Sequence, residues 1–221
     1  TYHYDANGNR LSSRLDGELT DVLGGAANLR LSETFYTYDA VDRLIREDAA
    51  FFDPQTQVAI DDGQATRKLF YSKSGHVIRL EDDKGSQRLL VHDTANRLSL
   101  ETDAKSNTVA YTYDANGNLI LTRETDKSDL LNPDQLFDTA NVYDFLDRMT
   151  RVTDNLGNAS NYAYDSRGNL TRAIDPRGNT TRFAYDGLNR SLSTTRVLTD
   201  TGTGAGLEVG QILTQQTWDD S

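Results

Sequence analysis

A short motif, an aromatic residue followed by Asp, recurs nine times along the chain, and this repetition constrains the fold more than any other feature. The aromatic residue, or a histidine in its place, lies at positions 4, 38, 71, 92, 113, 143, 164, 185 and 218. Four of the eight spacings are 21 residues, and the other four are 30 to 34 residues. A fixed period with insertions is typical of stacked supersecondary units.

The motif residues are the candidate site, and we expect their role to be structural. Asp follows the aromatic residue in eight of the nine copies, and Ser72 is the exception. The best copies continue as Asp-x-x-Gly-Asn. The residues assigned to the structural repeat motif are Tyr4, Asp5, Gly8, Tyr38, Asp39, Tyr113, Asp114, Gly117, Tyr143, Asp144, Tyr164, Asp165, Gly168, Tyr185 and Asp186.

The sequence after each aromatic residue predicts a tight turn. Asp at the first turn position can accept a hydrogen bond from the backbone two residues on, and Gly adopts a positive φ without steric cost. A second turn of the same kind follows about ten residues later, as in Asp154–Asn158 and Asp175–Asn179. Where the first turn lacks Gly, the position holds a residue type that tolerates positive φ: Asp42, Asn96, Asp147 or Asn189.

Short stretches with period-two alternation separate the turns, which predicts β-strands. The fold class expected is all-β, with antiparallel β-hairpin repeats in a wide sheet that curls into a curved wall. The tyrosines of successive units are expected to stack as cross-strand ladders. Insertions near 17–33, 49–66, 124–139 and 198–214 are predicted as loops or extended hairpin tips. The segment 132–137 has the pattern of a short helix, with Asn132 as cap and Pro133 at the first helical position.

The chain begins and stops within a repeat, so we expect residues 1–221 to be a segment of a longer repeat array. Its hydrophobic fraction of 36% is low for a compact globule. The net charge of −11 argues against nucleic acid or an anionic membrane as partner, since both need a basic surface. Without cysteine, neither disulfides nor thiolate metal sites can form. No apolar run approaches the ~18 residues of a membrane helix, so membrane insertion by this segment is not expected.

Two kinds of ligand site compete with a structural role for the motif residues. The tyrosines resemble sugar-stacking residues, but aromatics repeated at period two in every unit favour sheet packing. The loops that begin at Asp5 and Asp114 start like a calcium loop, but position twelve holds Asp16 and Thr125 instead of the closing Glu. Turn chemistry is therefore the favoured interpretation, and no metal is expected.

No catalytic constellation stands out in the sequence. His3, His76 and His92 show no metal-ligand spacing, and His92-Asp93 has no Gly-x-Ser-x-Gly elbow to complete a triad. No phosphate-binding or dinucleotide fingerprint is present. We therefore expect no enzyme activity and no cofactor.

The Tyr-Asp-x-x-Gly-Asn core and its 21-residue unit resemble the YD repeats of Rhs (rearrangement hotspot) proteins. Relatives include bacterial Tc toxin B and C components, wall-associated polymorphic toxins and, more distantly, animal teneurins. The resemblance implies a spiral β-sheet forming a hollow shell around a C-terminal toxic polypeptide. The implied partners are the remaining repeats and that cargo, with other toxin-complex or secretion-system components. It also implies export from a bacterial cell. The teneurins suggest an alternative, a carbohydrate- or receptor-binding adhesion module at the cell surface.

One stretch is similar to a family processing site. Bacterial shells of this family carry an Asp-Pro-x-Gly-Leu sequence near a self-cleavage point, and this chain has Asp175-Pro176-Arg177-Gly178-Asn179. Asp175 lies in the same register as Asp154, one 21-residue unit earlier, and Asn replaces the Leu. We therefore predict an ordinary repeat turn here.

Overall fold

The computed structural model describes residues 1–19, 28–127, 133–202, 204 and 206–218. These residues form seventeen β-strands and no helix, so the predicted all-β class of antiparallel hairpin repeats is confirmed. The chain divides into two compact units, Thr1–Asn107 and Thr108–Ser221. Within the described residues, no helix has the length and apolarity needed to cross a membrane.

The first unit is an antiparallel meander in which each strand pairs with the next strand along the chain. Each odd-numbered strand of this unit ends at a motif aromatic residue or at the histidine in its place. The strands are β1 (Tyr2–Tyr4), β2 (Arg10–Gly17), β3 (Leu29–Tyr38), β4 (Leu44–Phe52), β5 (Ala59–Tyr71), β6 (Val77–Glu81), β7 (Gln87–His92) and β8 (Leu98–Thr102).

The second unit repeats this arrangement. Its odd-numbered strands from β9 to β15 also end at a motif tyrosine. The strands are β9 (Thr108–Tyr113), β10 (Leu119–Asp126), β11 (Gln135–Tyr143), β12 (Met149–Thr153), β13 (Ala159–Tyr164), β14 (Leu170–Ile174), β15 (Thr180–Tyr185), β16 (Ser191–Thr199) and β17 (Glu208–Gln215).

Where the insertions are described, they lengthen hairpins rather than form separate structure. The insertion at 49–66 extends β4 and β5, which pair from Arg46–Lys68 out to Phe52–Ala59. The helix expected at 132–137 is wrong for its described part, because Gln135, Leu136 and Phe137 belong to β11 and pair with β10. Pairing with a neighbouring strand outweighs the weak local helix signal. Asn132 lies outside the described residues, as do the glycines and alanines at 24–27.

Few side chains in either unit are buried. Among the described residues, the buried hydrophobic side chains are Phe52 and Leu69 in the first unit and Val197 in the second. Large apolar residues at turn tips are exposed, as with Phe145 at 87% and Leu156 at 80%. Few apolar side chains are therefore fully removed from water, and hydrogen bonds at the turns are a further source of contact between neighbouring hairpins.

Candidate functional site

The turns that follow the motif aromatics, here called YD turns, share one hydrogen-bond pattern. In the turn at 144–148, the Asp144 carboxylate oxygen Oδ1 accepts the N–H groups of Leu146 at 2.9 Å and Arg148 at 3.1 Å. The backbone N–H of Asp144 donates to the Arg148 carbonyl at 2.9 Å, and that of Asp147 donates to the Asp144 carbonyl at 3.0 Å. The same pattern occurs in the YD turns that begin at Asp5, Asp39, Asp93, Asp114, Asp165 and Asp186.

The fourth residue of each YD turn has a positive φ, as the sequence predicts. The glycines at this position are Gly8, Gly75, Gly117 and Gly168, with φ of 89°, 87°, 95° and 91°. The non-glycine residues at the same position lie in the left-handed helical region: Asp42, Asn96, Asp147 and Asn189, with φ of 61°, 62°, 59° and 62°. The turns at the opposite ends of the hairpins have the same geometry, with φ of 82° at Gly157, 83° at Gly178 and 69° at Ser106. Ser106 was not predicted to have a positive φ.

The fifth residue closes the turn on the second carboxylate oxygen, and it comes in two kinds. After Gly it is Asn, so that Asn118 Nδ2 donates to Asp114 Oδ2 at 3.0 Å. After Asp or Asn it is Arg, so that the Arg148 guanidinium pairs with Asp144 Oδ2 at 2.7 Å. The turn that begins at Ser72 departs from both kinds because its fifth residue is His76.

These bonds lower the pKa of the turn aspartates. The pKa of Asp144 is lowered chiefly by the hydrogen bond from the Arg148 side chain. Partial burial raises this pKa, and the backbone N–H groups of Arg148 and Leu146 lower it further. The pKa of Asp39 is lowered chiefly by the backbone N–H of Arg43, then by its side chain. Each carboxylate is thereby held in its ionised form as a part of the turn.

Neighbouring YD turns are joined by side-chain amides. Asp147 Oδ1 accepts Asn116 Nδ2 at 2.9 Å and Asn118 Nδ2 at 2.6 Å, across two YD turns. Asn169 Nδ2 donates in the same way to Asn189 Oδ1 at 2.8 Å. In the first unit Asp42 accepts both Asn7 and Asn9. Three of the four non-glycine residues at positive φ, Asp42, Asp147 and Asn189, therefore accept a side-chain bond from the preceding turn, a role that Gly cannot fill.

The motif aromatics make a second connection between repeats. The Tyr164 hydroxyl donates to the Met149 carbonyl at 2.8 Å, and Met149 is the first strand residue after the preceding YD turn. Trp218 keeps the connection with its indole N–H, which donates to the Ser191 carbonyl at 2.8 Å. Equivalent bonds join Tyr38 to Arg10, Tyr71 to Leu44 and Tyr143 to Leu119.

The Arg that closes a YD turn also covers the next motif aromatic. The Arg148 guanidinium lies 4.7 Å from the Tyr164 ring centre and that of Arg43 lies 4.6 Å from Tyr71, both within cation–π range. The expected tyrosine ladder is wrong at these positions. Because motif tyrosines sit on every second strand, roughly 9.6 Å apart, their rings are too far apart to stack, and Arg fills the space.

The competing ligand sites do not assemble around the motif. The Asp5 carboxylate accepts the N–H groups of Asn7 and Asn9 and the Asn9 amide, while Asp16, the twelfth position, lies on β2 in an ion pair with Arg14. Thr125 lies on β10. No group of three or more His, Asp or Glu side chains suited to a metal occurs among the described residues.

The remaining chemical candidates are also occupied by turn bonds. Asp93 accepts Ala95, Arg97 and the Arg97 side chain, so His92 has no aspartate partner there. Asp175 accepts the N–H groups of Arg177 and Asn179, which is the repeat-turn geometry predicted for this Asp-Pro sequence. For sugar stacking, the Tyr71 and Tyr164 side chains are already engaged. Their hydroxyls donate to backbone carbonyls, and an Arg guanidinium covers one face of each ring.

The structure gives a role in the site to residues that were not among the fifteen assigned to it from the sequence. These are the closing residues Asn9, Arg43, Asn118, Arg148, Asn169 and Arg190, together with the acceptors Asp42, Asp147 and Asn189. A signal for them exists in the sequence, because turns ending in Gly-Asn are followed by turns ending in Asp-Arg or Asn-Arg.

The chain is a β-hairpin repeat protein, in which hydrogen bonds at a repeated Tyr-Asp turn join neighbouring hairpins. The RHS Repeat family model matches residues 92–129, 143–180 and 164–203. Residues 92–129 and 143–203 therefore carry repeats of the RHS Repeat family. None of the curated protein sequences matches it.

One solved structure shares the fold at low sequence identity, and two further structures give lower TM-scores. The crystal structure of TcdB2-TccC3-TEV is 13% identical with a TM-score of 0.54, and the match covers 99% of this chain and 13% of that chain. TcdB2-TccC3-Cdc42 gives 13% identity and a TM-score of 0.49, over 100% of this chain and 15% of that one. A Tc holotoxin pore of Photorhabdus luminescens gives 11% and 0.48, over 97% and 14%. This chain thus spans about an eighth of the first of these proteins.

Proposed function

We propose that this chain is a non-enzymatic structural segment of an Rhs-type β-shell that encloses or presents a toxic polypeptide cargo. The observation that carries the proposal is the set of side-chain hydrogen bonds that join neighbouring hairpins within each unit at the YD turns. The bonds from Asn118 to Asp147 and from Tyr164 to Met149 join neighbouring repeats in a unit whose described residues include one buried hydrophobic side chain, Val197.

Such a connection suits a wall one sheet thick. A shell wall has one face toward solvent and one toward its contents, so it cannot bury a thick apolar layer on either face. Its stability must then come from hydrogen bonds within the sheet and along the turns. The small number of buried hydrophobic side chains and the fold shared with TcdB2-TccC3-TEV both support this interpretation.

The partners follow from the same proposal. They are further repeats and a C-terminal cargo of the same protein, with other toxin-complex or secretion-system components at the outside. The protein would be bacterial and exported. The net charge of −11 disfavours nucleic acid as cargo or partner.

The experiment uses the full-length parent protein and compares its mass under native and denaturing conditions. One native particle that separates into two or more chains, with the released chain resistant to protease until denaturation, is the expected result. A candidate cargo that is digested as fast in the native particle as after denaturation would contradict enclosure. Binding of the 221-residue chain to a glycan array, lost on replacing the insertion at 49–66, would support surface recognition instead.

A further inference from the structure

The two departures from the YD motif lie next to each other in the first unit. Ser72 replaces the turn aspartate, and its hydroxyl accepts the N–H of His76 at 3.2 Å. His76 is the closing residue of that turn, and His92 is the aromatic residue of the next repeat. The two rings therefore occupy the positions that Arg43 and Tyr71 hold one repeat earlier. Where other repeats pair a guanidinium with a phenol ring, this one pairs two imidazoles.

The two imidazoles face each other across a small hollow. Their ring centres are 5.0 Å apart and their planes are inclined by 43°. His76 Nδ1 lies 3.2 Å from the Ser74 hydroxyl, so that an Nδ1–H donated to Ser74 leaves a lone pair on Nε2. The hollow, about 400 Å³, is also lined by Ile78 and Asp93, and both histidines are half-buried.

We propose that His76 and His92 form a binding site for a divalent late first-row transition metal ion such as Zn²⁺. A zinc–nitrogen bond of about 2.05 Å places each ring centre roughly 3.2 Å from the metal. Two such rings at angles between about 90° and 109° have centres about 4.5 to 5.2 Å apart. The observed separation falls inside this range.

The surrounding groups determine the rest of the coordination. The Asp93 carboxylate is committed to its own turn and to Arg97, so it does not serve as a third ligand. Two imidazoles therefore bind the ion, and water or an external ligand completes the shell. Imidazole ligands select zinc, nickel and copper over the oxygen-preferring calcium and magnesium. A bound ion would connect two successive repeats, as the Arg–Tyr contact does elsewhere.

The test begins by replacing His3, which is the third histidine of the chain beside His76 and His92. His3 is the third residue of the chain and can bind metal together with the amino terminus, so the host for every measurement is the 221-residue chain with His3→Gln. Zn²⁺ is titrated into this host by calorimetry, and the imidazole resonances of the two remaining histidines are followed by NMR. We expect one saturable Zn²⁺ site, with shifts of both sets of ring signals, and no such site for Mg²⁺.

Two variants decide the outcome. His76→Gln and His92→Gln, each in the His3→Gln host, are expected to lose the saturable site, and Zn²⁺ should no longer raise Tm. Circular dichroism establishes that each variant retains its β-sheet. Zn²⁺ binding that persists unchanged in either folded variant would overturn the proposal, as would a host that shows no histidine-dependent binding at millimolar Zn²⁺.

Discussion

Replacing Tyr164 by Phe tests the contribution of a single connection between repeats. The change removes the hydroxyl that donates to the Met149 carbonyl at 2.8 Å and leaves the aromatic ring in place beneath Arg148. No cavity forms, so the loss is that of one neutral hydrogen bond. Such a bond contributes a net 0.5 to 1.5 kcal/mol, and for this half-buried site we expect about 1 kcal/mol.

The assay is urea denaturation of the 221-residue chain, with the free energy of unfolding compared between variants. Tyr162→Phe is the matched control, because Tyr162 lies on the same strand β13 and its hydroxyl has no hydrogen-bond partner among the described residues. With a slope of about 2.5 kcal/mol per molar urea, Tyr164→Phe should lower the midpoint by about 0.4 M. The control should differ from the parent chain by less than about 0.1 M. Equal effects of the two substitutions would refute the assignment of the hydroxyl as a connection.

Three further predictions concern the YD turns. Asp147→Ala should lower the free energy of unfolding by about 1 to 2 kcal/mol, since two amide bonds are lost at a residue with positive φ, whereas Asp147→Asn should change it by less than about 0.5 kcal/mol in urea denaturation. Gly168→Val should lower the free energy of unfolding by about 2 kcal/mol in the same assay, because φ is 91° at this position. The control Gly187→Ala should leave it nearly unchanged, because Gly187 has no positive φ. An unchanged melting temperature for Gly168→Val would argue against the turn assignment. Turn carboxylates such as Asp144 have a lower pKa in the folded chain than the value near 3.8 expected for the unfolded chain, so their ionised form stabilises the fold. This contribution to the free energy of unfolding should be constant between pH 7 and about pH 5 and should fall as the pH drops below about 4. A fall between pH 7 and pH 5 would assign the pH dependence to other groups.

The local features of the fold could be predicted because each depends on a few adjacent residues. Asp at the start of a turn and Gly or Asn at its fourth position fix the backbone by local hydrogen bonds and by steric limits on φ. The strands between them follow from period-two alternation. The residue Trp218, read as a variant of the motif tyrosine, proves to make the same kind of bond as Tyr164.

The contacts between repeats could not be predicted from the motif alone. The expected stacking of tyrosines is wrong at Tyr71 and Tyr164, because an intervening strand separates the motif tyrosines and an arginine covers each of these two rings. The pairing of His76 with His92 likewise depends on a register that brings residues 16 positions apart into contact. Local propensity also misled at Leu136 and Phe137, where pairing with β10 decides the conformation.

Neighbouring YD turns stabilise one another through side chains. Hydrogen exchange, measured by mass spectrometry on the parent chain and on Asp147→Ala, tests this mutual stabilisation. We expect faster exchange in the variant at both turns, including the turn at 114–118, whose Asn116 and Asn118 lose their acceptor. Faster exchange confined to residues 144–148, with the turn at 114–118 unchanged, would contradict it.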